Sequence, residues 1–232
     1  ATVPVPVAAE PLLPVGPFSL QPSGGPLPHG WEALVFENIE RRTRYSLQVV
    51  DGVVVVRAES RAAASGIQRR QSIDLGQWPL MRWRWRVETP VLGEQLSRKA
   101  GDDVAARIYV NFVFEPRKAG FWARQLHALG ARRFGSAPPG SAIVYVWSNR
   151  EKKGTATPSP YSSKVMVLAV RGAADRPGQW FTETRDVGAD YRSFFGEAPP
   201  PIIGVAIMCD TDNTGGFAQA SFGDIVFIKT TR

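Results

Sequence analysis

The sequence is poor in the residues that build disulfides, zinc sites and histidine-based catalytic centres. Its one cysteine, Cys209, excludes an intramolecular disulfide and a structural zinc site made of several thiolates. Its two histidines, His29 and His127, stand in no metal-ligand spacing and give no basis for a histidine triad. Phosphate-binding loops, dinucleotide fingerprints and nucleophile elbows are missing as well. These absences remove most of the usual signatures of an enzyme.

Long hydrophobic runs are also missing. The longest apolar stretches, such as 52–56 and 202–208, fall well short of the roughly 18 residues that a membrane-spanning helix needs. The composition is 44% apolar and 21% charged, which is typical of a globular chain and not of a disordered one. A chain of 232 residues suits one large all-β domain with its own core. We therefore expect one globular domain and no membrane span.

The net charge of +7 raises the question of a nucleic-acid partner. Arginines are spread along the whole chain, acidic residues lie near them, and no nucleic-acid-binding motif is present. This pattern favours a basic surface without a nucleic-acid partner, with an acidic polymer or lipid surface as the alternative.

The N-terminal region differs from the rest. Residues 1–28 are rich in proline and lack periodicity, which predicts an extended arm that either wraps the domain or stays loose, followed by a single domain over 29–232. The opening Ala1-Thr-Val-Pro-Val-Pro is typical of a mature end left by signal cleavage or of an artificially shortened chain, and we favour the first. We expect a periplasmic or secreted protein.

Short segments of period-two alternation, separated by Gly, Pro and Asp turns, follow the arm and predict strands. Helical spacing predicts one inserted amphipathic helix over 121–134, and Asp190 is an acceptable N-cap for a short helical turn ending at Phe194. Together these elements predict a single antiparallel β-sandwich resembling a jelly roll. The predicted strands are 43–50, 52–60, 81–88, 106–114, 142–148, 164–170, 180–187, 202–210 and 218–229.

The clearest alternation lies in the segments 81–87 and 107–114. The first places Met81, Trp83, Trp85 and Val87 on one face and three arginines on the other. The second sends its aliphatic and phenylalanine residues inward and leaves Arg107, Tyr109 and Asn111 facing away. We predict that the two strands share one polar, cationic outer face.

The segment 209–216, Cys-Asp-Thr-Asp-Asn-Thr-Gly-Gly, follows a buried-looking strand directly. Its carboxylate and amide side chains on a turning backbone resemble the start of a calcium loop. An EF-hand is excluded because the closing glutamate and the flanking helices are missing. Two interpretations stay open: Asp212 and Asn213 bind the turn backbone, or they bind a ligand or calcium.

Asp102 and Asp103 stand just before the 106–114 strand. Adjacent residues of an extended segment point to opposite faces, so they do not form the facing pair of carboxylates that a glycosidase needs. Pairing with arginines is the favoured interpretation.

Aromatic residues are the remaining signal, with seven tryptophans in the chain. Most of them are expected in the core of a large sandwich. Tyr145 and Trp147 are the best candidates for exposed stacking rings, since Val144 and Val146 alternate to the opposite face.

A set of short motifs occurs in a fixed order along the chain: Trp83-Arg-Trp85, Gly101-Asp-Asp103 with 106–110, Val144-Tyr-Val-Trp147, Arg185-Asp-Val187 with Asp190-Tyr191 and Phe195-Gly196, Ile207-Met208 with 210–214, and 222–225. It resembles an uncharacterised bacterial family, domain of unknown function 3047, over roughly residues 30 to 228. The resemblance implies an exported protein without an assigned activity. The closing Phe222-Gly-Asp-Ile225 strand is also similar to the last strand of galactose-binding-like jelly rolls, which include carbohydrate-binding modules. Cys209 stands where the resemblance leads us to expect a small hydroxyl residue, so no thiol chemistry is carried over from it.

The first hypothesis is a noncatalytic binding module for a carbohydrate or another polar, anionic envelope component. Arginines would bind acidic groups through paired hydrogen bonds, rings would stack on sugars, and the 210–213 loop would orient ligand or calcium. The candidate ligand-binding residues are Arg82, Arg84, Arg107, Tyr109, Trp147, Glu183, Arg185 and Asp210, and the candidate calcium ligands are Asp210, Asp212 and Asn213.

Two further hypotheses remain. One is a lyase or hydrolase of acidic polysaccharides, in which an arginine neutralises a uronate and Tyr109 or Tyr145 acts as acid or base. The other is a scaffold that binds an envelope protein through the proline-rich arm.

Overall fold

The chain folds into two β-sheets packed face to face. The computed structural model describes residues 10–25, 27–117 and 139–230. Two 3-10 turns, Phe18–Leu20 and Lys99–Gly101, accompany the strands and one α-helix. The strands are β1 Leu12–Gly16, β2 Glu32–Leu34, β3 Arg44–Val50, β4 Val53–Arg61, β5 Ala64–Ile73, β6 Leu80–Thr89, β7 Ala106–Phe112, β8 Ser141–Trp147, β9 Ala156–Ser159, β10 Ser162–Arg171, β11 Phe181–Asp186, β12 Ile202–Asp210 and β13 Phe217–Ile228, with helix α1 Val187–Phe195 between β11 and β12.

The first sheet has the strand order β11-β6-β13-β4-β3, with β1 paired to β13 beside this path. The second sheet has the order β2-β5-β12-β7-β8-β10-β9. Neighbours within the described residues are antiparallel, apart from the parallel pair β8 and β10. The prediction of an all-β sandwich is confirmed. Among the same residues, no helix is both long and apolar enough to cross a bilayer.

The core lies between the two sheets and is rich in aromatic rings. The tryptophans of β6 point inward, as its alternation predicts, while its arginines point outward. The Trp83 ring stacks on Tyr145 of β8 with centroids 5.2 Å apart, and Trp85 lies 6.2 Å from Trp147. These contacts join the first sheet to the second through their centres.

The outer face of the second sheet is partly covered. Val144 and Val146 of β8 point away from the main core, yet they are buried. The connection between β6 and β7 lies over them and contributes Leu96 and Val104 to a second apolar cluster. As a result β8 is buried along its whole length, on both faces.

Four strands were not predicted from the sequence: β1, β2, β5 and β9. The longest of these, β5, reads Ala-Ser-Gly-Ile-Gln-Arg-Arg-Gln-Ser-Ile, a largely polar run whose alternation is too weak to recognise. Its pairing with β12 is also interrupted by an irregularity opposite Gly204. Tertiary pairing, and not local pattern, therefore determines this strand.

Helix α1 begins earlier than the sequence predicts. The N-cap is Asp186 and not Asp190, because the Asp186 Oδ1 accepts a hydrogen bond from the backbone N–H of Ala189 at 2.7 Å. The helix ends at Gly196, whose φ of 71° is the left-handed conformation favoured by glycine. The predicted helix over 121–134 lies outside the described residues.

The described part of the N-terminal arm is attached to the sandwich. Leu12–Gly16 pairs with the end of β13, and Phe18 is fully buried with its ring 5.3 Å from that of Trp31. Ser19 donates hydrogen bonds from its backbone N–H and its hydroxyl to the two carboxylate oxygens of Asp224, at 2.8 and 2.5 Å. These contacts fix the arm at the first sheet.

We expect Ser19→Ala to lower the free energy of unfolding by about 1.5 kcal/mol, because it removes a hydrogen bond to a charged acceptor. Chemical denaturation followed by fluorescence would measure the loss. The control is Ser46→Ala, whose hydroxyl only accepts a bond from the exposed Gln48 side chain. Equal effects of the two substitutions would show that the arm contact adds no stability.

Candidate functional site

Four connections meet at one end of the sandwich, which we call the loop end: residues 41–44, 61–64, 102–104 and 210–217. Asp103 joins two of them. Its Oδ2 accepts a hydrogen bond from the Thr214 N–H at 2.7 Å, and its Oδ1 accepts from the Asn213 side chain at 3.0 Å. The Asp210 N–H in turn donates to the carbonyl of Val104 at 3.2 Å. The loops before β7 and after β12 are thus fixed to each other.

Hydroxyl groups connect the other two loops. The Thr43 hydroxyl donates to the carbonyl of Cys209 at 2.6 Å, and the Ser60 and Thr211 hydroxyls lie 2.8 Å apart. Cys209 itself is fully buried, and burial raises the pKa of its thiol well above the ordinary value. A buried thiol of this kind packs as a small apolar side chain.

Three carboxylates converge at the loop end. One oxygen each from Asp103, Asp210 and Asp212 lies within 4.8 Å of the other two, and we call these residues the carboxylate cluster. Asp103 and Asp210 are buried, whereas Asp212 is half-buried. The cluster thus reaches from the interior to the surface of the loop end.

One buried cation accompanies the carboxylate cluster. Arg107 projects from β7 and donates from Nη2 to the Asp210 Oδ2 at 2.8 Å and to the carbonyl of Asp102 at 2.9 Å. Its Nη1 lies 3.5 Å from the Asp102 Oδ1. Although burial alone lowers the pKa of Arg107, the charges of Asp210 and Asp102 and its contact with Tyr109 raise it well above the ordinary value.

The carboxylates repel one another in this confined space. Burial raises the pKa of Asp210 to about 8; nearby Asp103 and Asp102 add to the shift, and Arg107 opposes it. The pKa of Asp212 is raised by burial and then by Asp103. Full ionisation of these acids is therefore costly, and one arginine does not remove that cost.

An exposed ring stands at the rim of the carboxylate cluster. Tyr161, in the turn between β9 and β10, is 57% exposed. The ammonium of Lys99 lies 5.2 Å from its ring centroid. The turn Lys99–Gly101 leads directly into Asp102, so this contact places the ring beside the loop end. The pKa of the Tyr161 hydroxyl is raised by partial burial and then by the charges of Asp102 and Asp212.

The eight candidate ligand-binding residues form three separate groups and not one face. Strand β6 belongs to the first sheet and β7 to the second, so their polar residues project from opposite sides of the sandwich. The prediction of one shared polar face is therefore wrong, because alternation does not reveal which sheet a strand joins. The groups are Arg82 with Arg84; Arg107 with Tyr109 and Asp210; and Trp147 with Glu183 and Arg185.

The third group lies between the sheets, at the edge formed by β11. Glu183 is buried and accepts a hydrogen bond from the Arg171 Nε at 2.5 Å. Arg185 binds Asp190, which also accepts a hydrogen bond from the Tyr145 hydroxyl at 2.8 Å. Glu183 thus pairs with a strand of the second sheet, and Arg185 pairs with helix α1.

The expectation that Tyr145 and Trp147 are exposed is wrong. Both rings face the tryptophans of β6 and are buried to 98% or more. Their neighbours Val144 and Val146 are covered by the β6–β7 connection, so neither face of β8 reaches solvent. Burial, with Asp190 nearby, also raises the pKa of the Tyr145 hydroxyl well above its ordinary value, and the group is closed to any substrate in this structure.

The candidate calcium ligands lie together, with one difference in membership. Asp210 and Asp212 belong to the carboxylate cluster, while the side-chain N–H of Asn213 donates to Asp103. Sequence analysis missed Asp103 as a member because it stands more than a hundred residues earlier in the chain. The signal for it was its position immediately before a strand, where side chains gather at a sheet end.

Three comparisons relate the chain to known proteins. The family model described as "Protein of unknown function (DUF3047)" matches residues 29–226. No curated protein matches the chain. Among solved structures, the chain is similar to an X-ray structure of a non-crystalline cellulose specific carbohydrate-binding module, CBM28, with 13% identity, 98% of each chain covered and a TM-score of 0.35. At this identity and TM-score the match supports no statement about a ligand.

Proposed function

The chain belongs to the DUF3047 family of proteins of unknown function, and from the geometry we propose that it is a noncatalytic carbohydrate-binding module that holds its sugar through Ca²⁺ at the loop end. The observation that carries the proposal is the convergence of Asp103, Asp210 and Asp212 beside an exposed tyrosine ring. In this arrangement the 210–213 loop supplies Asp210 and Asp212 as ligands for the ion.

The spacing of the carboxylate cluster suits Ca²⁺. Calcium binds oxygen ligands at about 2.4 Å, so two ligands on opposite sides of one ion are about 4.8 Å apart. The three carboxylate oxygens lie within that distance of one another. A single calcium ion can therefore contact all three without large movements of the loops.

The charge of the loop end also favours a cation. Asp102 and the carboxylate cluster bring four acids together, and Arg107 is the one arginine that forms ion pairs with them among the described residues. The Asp102 Oδ1 is buried and accepts no hydrogen bond from the described part of the chain, and it faces the Arg107 Nη1 at the longer distance of 3.5 Å. A buried carboxylate oxygen without a hydrogen bond is costly, and a bound cation would reduce that cost.

The outer side of the site is open to a ligand. A calcium ion takes about six to eight oxygens, so three carboxylates leave positions for water or for the hydroxyls of a sugar. Asp212 and Asn213 lie towards solvent, and the exposed Tyr161 ring offers a flat apolar surface to the C–H face of a sugar. Metal and ring together would fix both the hydroxyls and the face of one sugar unit.

We also propose that the protein works outside the cytoplasm. Extracellular calcium modules bind the ion weakly, with Kd of about 10⁻⁴ to 10⁻³ M. A site with three carboxylates and open positions fits that range. Fractionation of cells expressing the full gene would test the location separately from the ligand.

Isothermal titration of EDTA-treated protein with CaCl₂ tests the metal. We expect one site, and we expect Asp212→Asn to weaken it on the order of tenfold or more, because one charged ligand is lost. The matched control is Glu10→Gln, which removes one exposed charge beside the end of β13 that is opposite to the loop end. An absence of binding heat, or equal weakening by both substitutions, would refute the calcium site.

A glycan array with and without EDTA then tests the sugar. Binding should require Ca²⁺, and Tyr161→Ala should weaken it on the order of tenfold while leaving the calcium titration unchanged. Tyr161 is exposed, so the variant should stay folded. Glycan binding that is indifferent to both EDTA and Tyr161→Ala would place the sugar elsewhere.

A further inference from the structure

A pocket of about 350 Å³ opens on the outer face of the first sheet, at the loop end. Four of its seven lining residues are arginines, which distinguishes it from the acidic site of the second sheet. The lining residues are Arg41, Arg42, Arg44, Glu59, Arg61, Ala63 and Phe217.

Strand register places the charged residues of this arginine pocket next to one another. Arg44, the first residue of β3, stands opposite Glu59 of β4. Arg61, the last residue of β4, stands opposite Phe217, the first residue of β13. Residues in direct register share a face of the sheet, so these side chains project to the same side. The loop before β3 adds Arg41 and Arg42.

The four arginines are exposed, and no carboxylate lies at ion-pair distance from them in residues 10–25, 27–117 and 139–230. Glu59 is the acid in the wall, and it already accepts a hydrogen bond from Gln219 at 2.6 Å and lies 3.9 Å from Arg57. The interpretation from sequence that the arginines are not gathered is therefore wrong at this place. The sequence Arg41-Arg42-Thr-Arg44 already indicated a local group of arginines.

An apolar surface accompanies the positive charge. The Arg61 guanidinium carbon lies 4.6 Å from the centre of the Phe217 ring, which fixes this guanidinium against the ring. Ala63 is buried behind it. The pocket thus combines the guanidinium donors of the arginines with the apolar side chains of Phe217 and Ala63.

We propose that the arginine pocket is a second binding site, which takes the carboxylate or sulfate groups of an acidic polysaccharide. Guanidinium groups bind carboxylate and sulfate oxygens through two parallel hydrogen bonds, and several of them around one concavity select for that anion. The Phe217 ring holds the Arg61 guanidinium in place for such a contact. This site does not depend on Ca²⁺ in the carboxylate cluster.

The shape of the pocket favours a glycan over a nucleic acid. Nucleic-acid surfaces use a stripe of cations that follows successive phosphates. Here the arginines line one pocket and do not follow a stripe along the sheet. An acidic sugar needs only one anionic group in the pocket, with its neutral neighbours lying across the sheet.

Binding is measured by isothermal titration in EDTA, so that the calcium site is empty. The probes are an oligogalacturonate, a sulfated oligosaccharide, a neutral cello-oligosaccharide and single-stranded DNA of similar length. We expect at least one acidic glycan to bind, the neutral one not to bind, and Arg41→Gln/Arg42→Gln/Arg44→Gln to weaken binding at least about tenfold. The matched control removes three exposed positive charges elsewhere, in Lys152→Gln/Lys153→Gln/Arg176→Gln, and should change affinity less than about twofold.

Each other outcome counts against the proposal. Equal weakening by the control would mean that net charge, and not the pocket, attracts the glycan. Tighter binding of DNA than of either acidic glycan would assign the surface to a nucleic acid. No binding of any acidic glycan would remove the site, whatever the result for calcium. Thermal unfolding of both triple variants confirms their folding, and Arg61→Gln provides a single-residue test if a triple variant fails to fold.

Discussion

Replacing Arg107 by leucine is expected to lower the free energy of unfolding by about 3–5 kcal/mol, as is typical when one partner of a buried ion pair is removed. Arg107 is only 2% exposed and donates to both Asp210 and the carbonyl of Asp102. Without it, the acids at the loop end lose their one buried cation. Urea denaturation in EDTA, where no divalent ion offsets the charge, measures the loss.

An exposed ion pair supplies the control for Arg107. Arg70 and Glu32 are in contact at 2.7 Å, but both side chains are more than half exposed. Arg70→Leu should therefore cost no more than about 1 kcal/mol. The double variant Arg107→Leu/Asp210→Leu should recover part of the single-variant loss, because it removes both charges. Similar losses for Arg107→Leu and Arg70→Leu would show that the buried ion pair contributes no more to the free energy of unfolding than the exposed one.

Local pattern predicted the orientation of side chains within strands, but not the sheet to which each strand belongs. Trp83 and Trp85 point inward and Arg82 and Arg84 outward, as alternation requires. The error came from joining β6 and β7 into one face. Consecutive strands of a sandwich often change sheets, and nothing in the period-two pattern records that change.

The candidate site, too, could be predicted only in part from local sequence. The 210–213 loop stood out in the sequence because oxygen-bearing side chains follow a buried strand. Asp103 and Tyr161 join it through contacts between distant segments, and no local spacing relates them. Asp103 is recognisable only once β7 and β12 are known to be neighbours. The sequence could thus indicate one loop of the site, while the rest depended on strand pairing.

The fully buried rings of β8 have a related cause. The segment 142–147, Ala-Ile-Val-Tyr-Val-Trp, is an unbroken apolar run, which is typical of a strand buried on both faces. The connection between β6 and β7 covers the valine face with Leu96 and Val104, so both faces are apolar. The prediction of exposed rings used the alternation of rings and valines and not the apolar run, and the run was the signal for burial.

Trp83→Ala is expected to lower the free energy of unfolding by about 3–5 kcal/mol, because it leaves a large cavity between the sheets. Trp83 is 1% exposed, stacks on Tyr145 of the opposite sheet and lies edge-on to Trp85 at 5.5 Å. Losing the ring removes the contact that joins β6 to β8. Chemical denaturation measures the change in stability, and near-ultraviolet circular dichroism reports whether the remaining rings keep fixed positions.

Two further substitutions test whether the loss of stability is specific to the stacked position of Trp83 or follows from the removal of any tryptophan. Trp180 lies partly exposed beneath the Arg84 guanidinium, 4.4 Å from the ring centre, so Trp180→Ala should cost no more than about 1 kcal/mol. Trp83→Phe keeps an aromatic ring against Tyr145 and removes an indole N–H that is buried without a hydrogen-bond acceptor in the described residues. Its loss should therefore be clearly smaller than that of Trp83→Ala. If Trp83→Ala cost no more than Trp180→Ala, the two sheets would be held together elsewhere, and the central ring stack would not be a main source of stability.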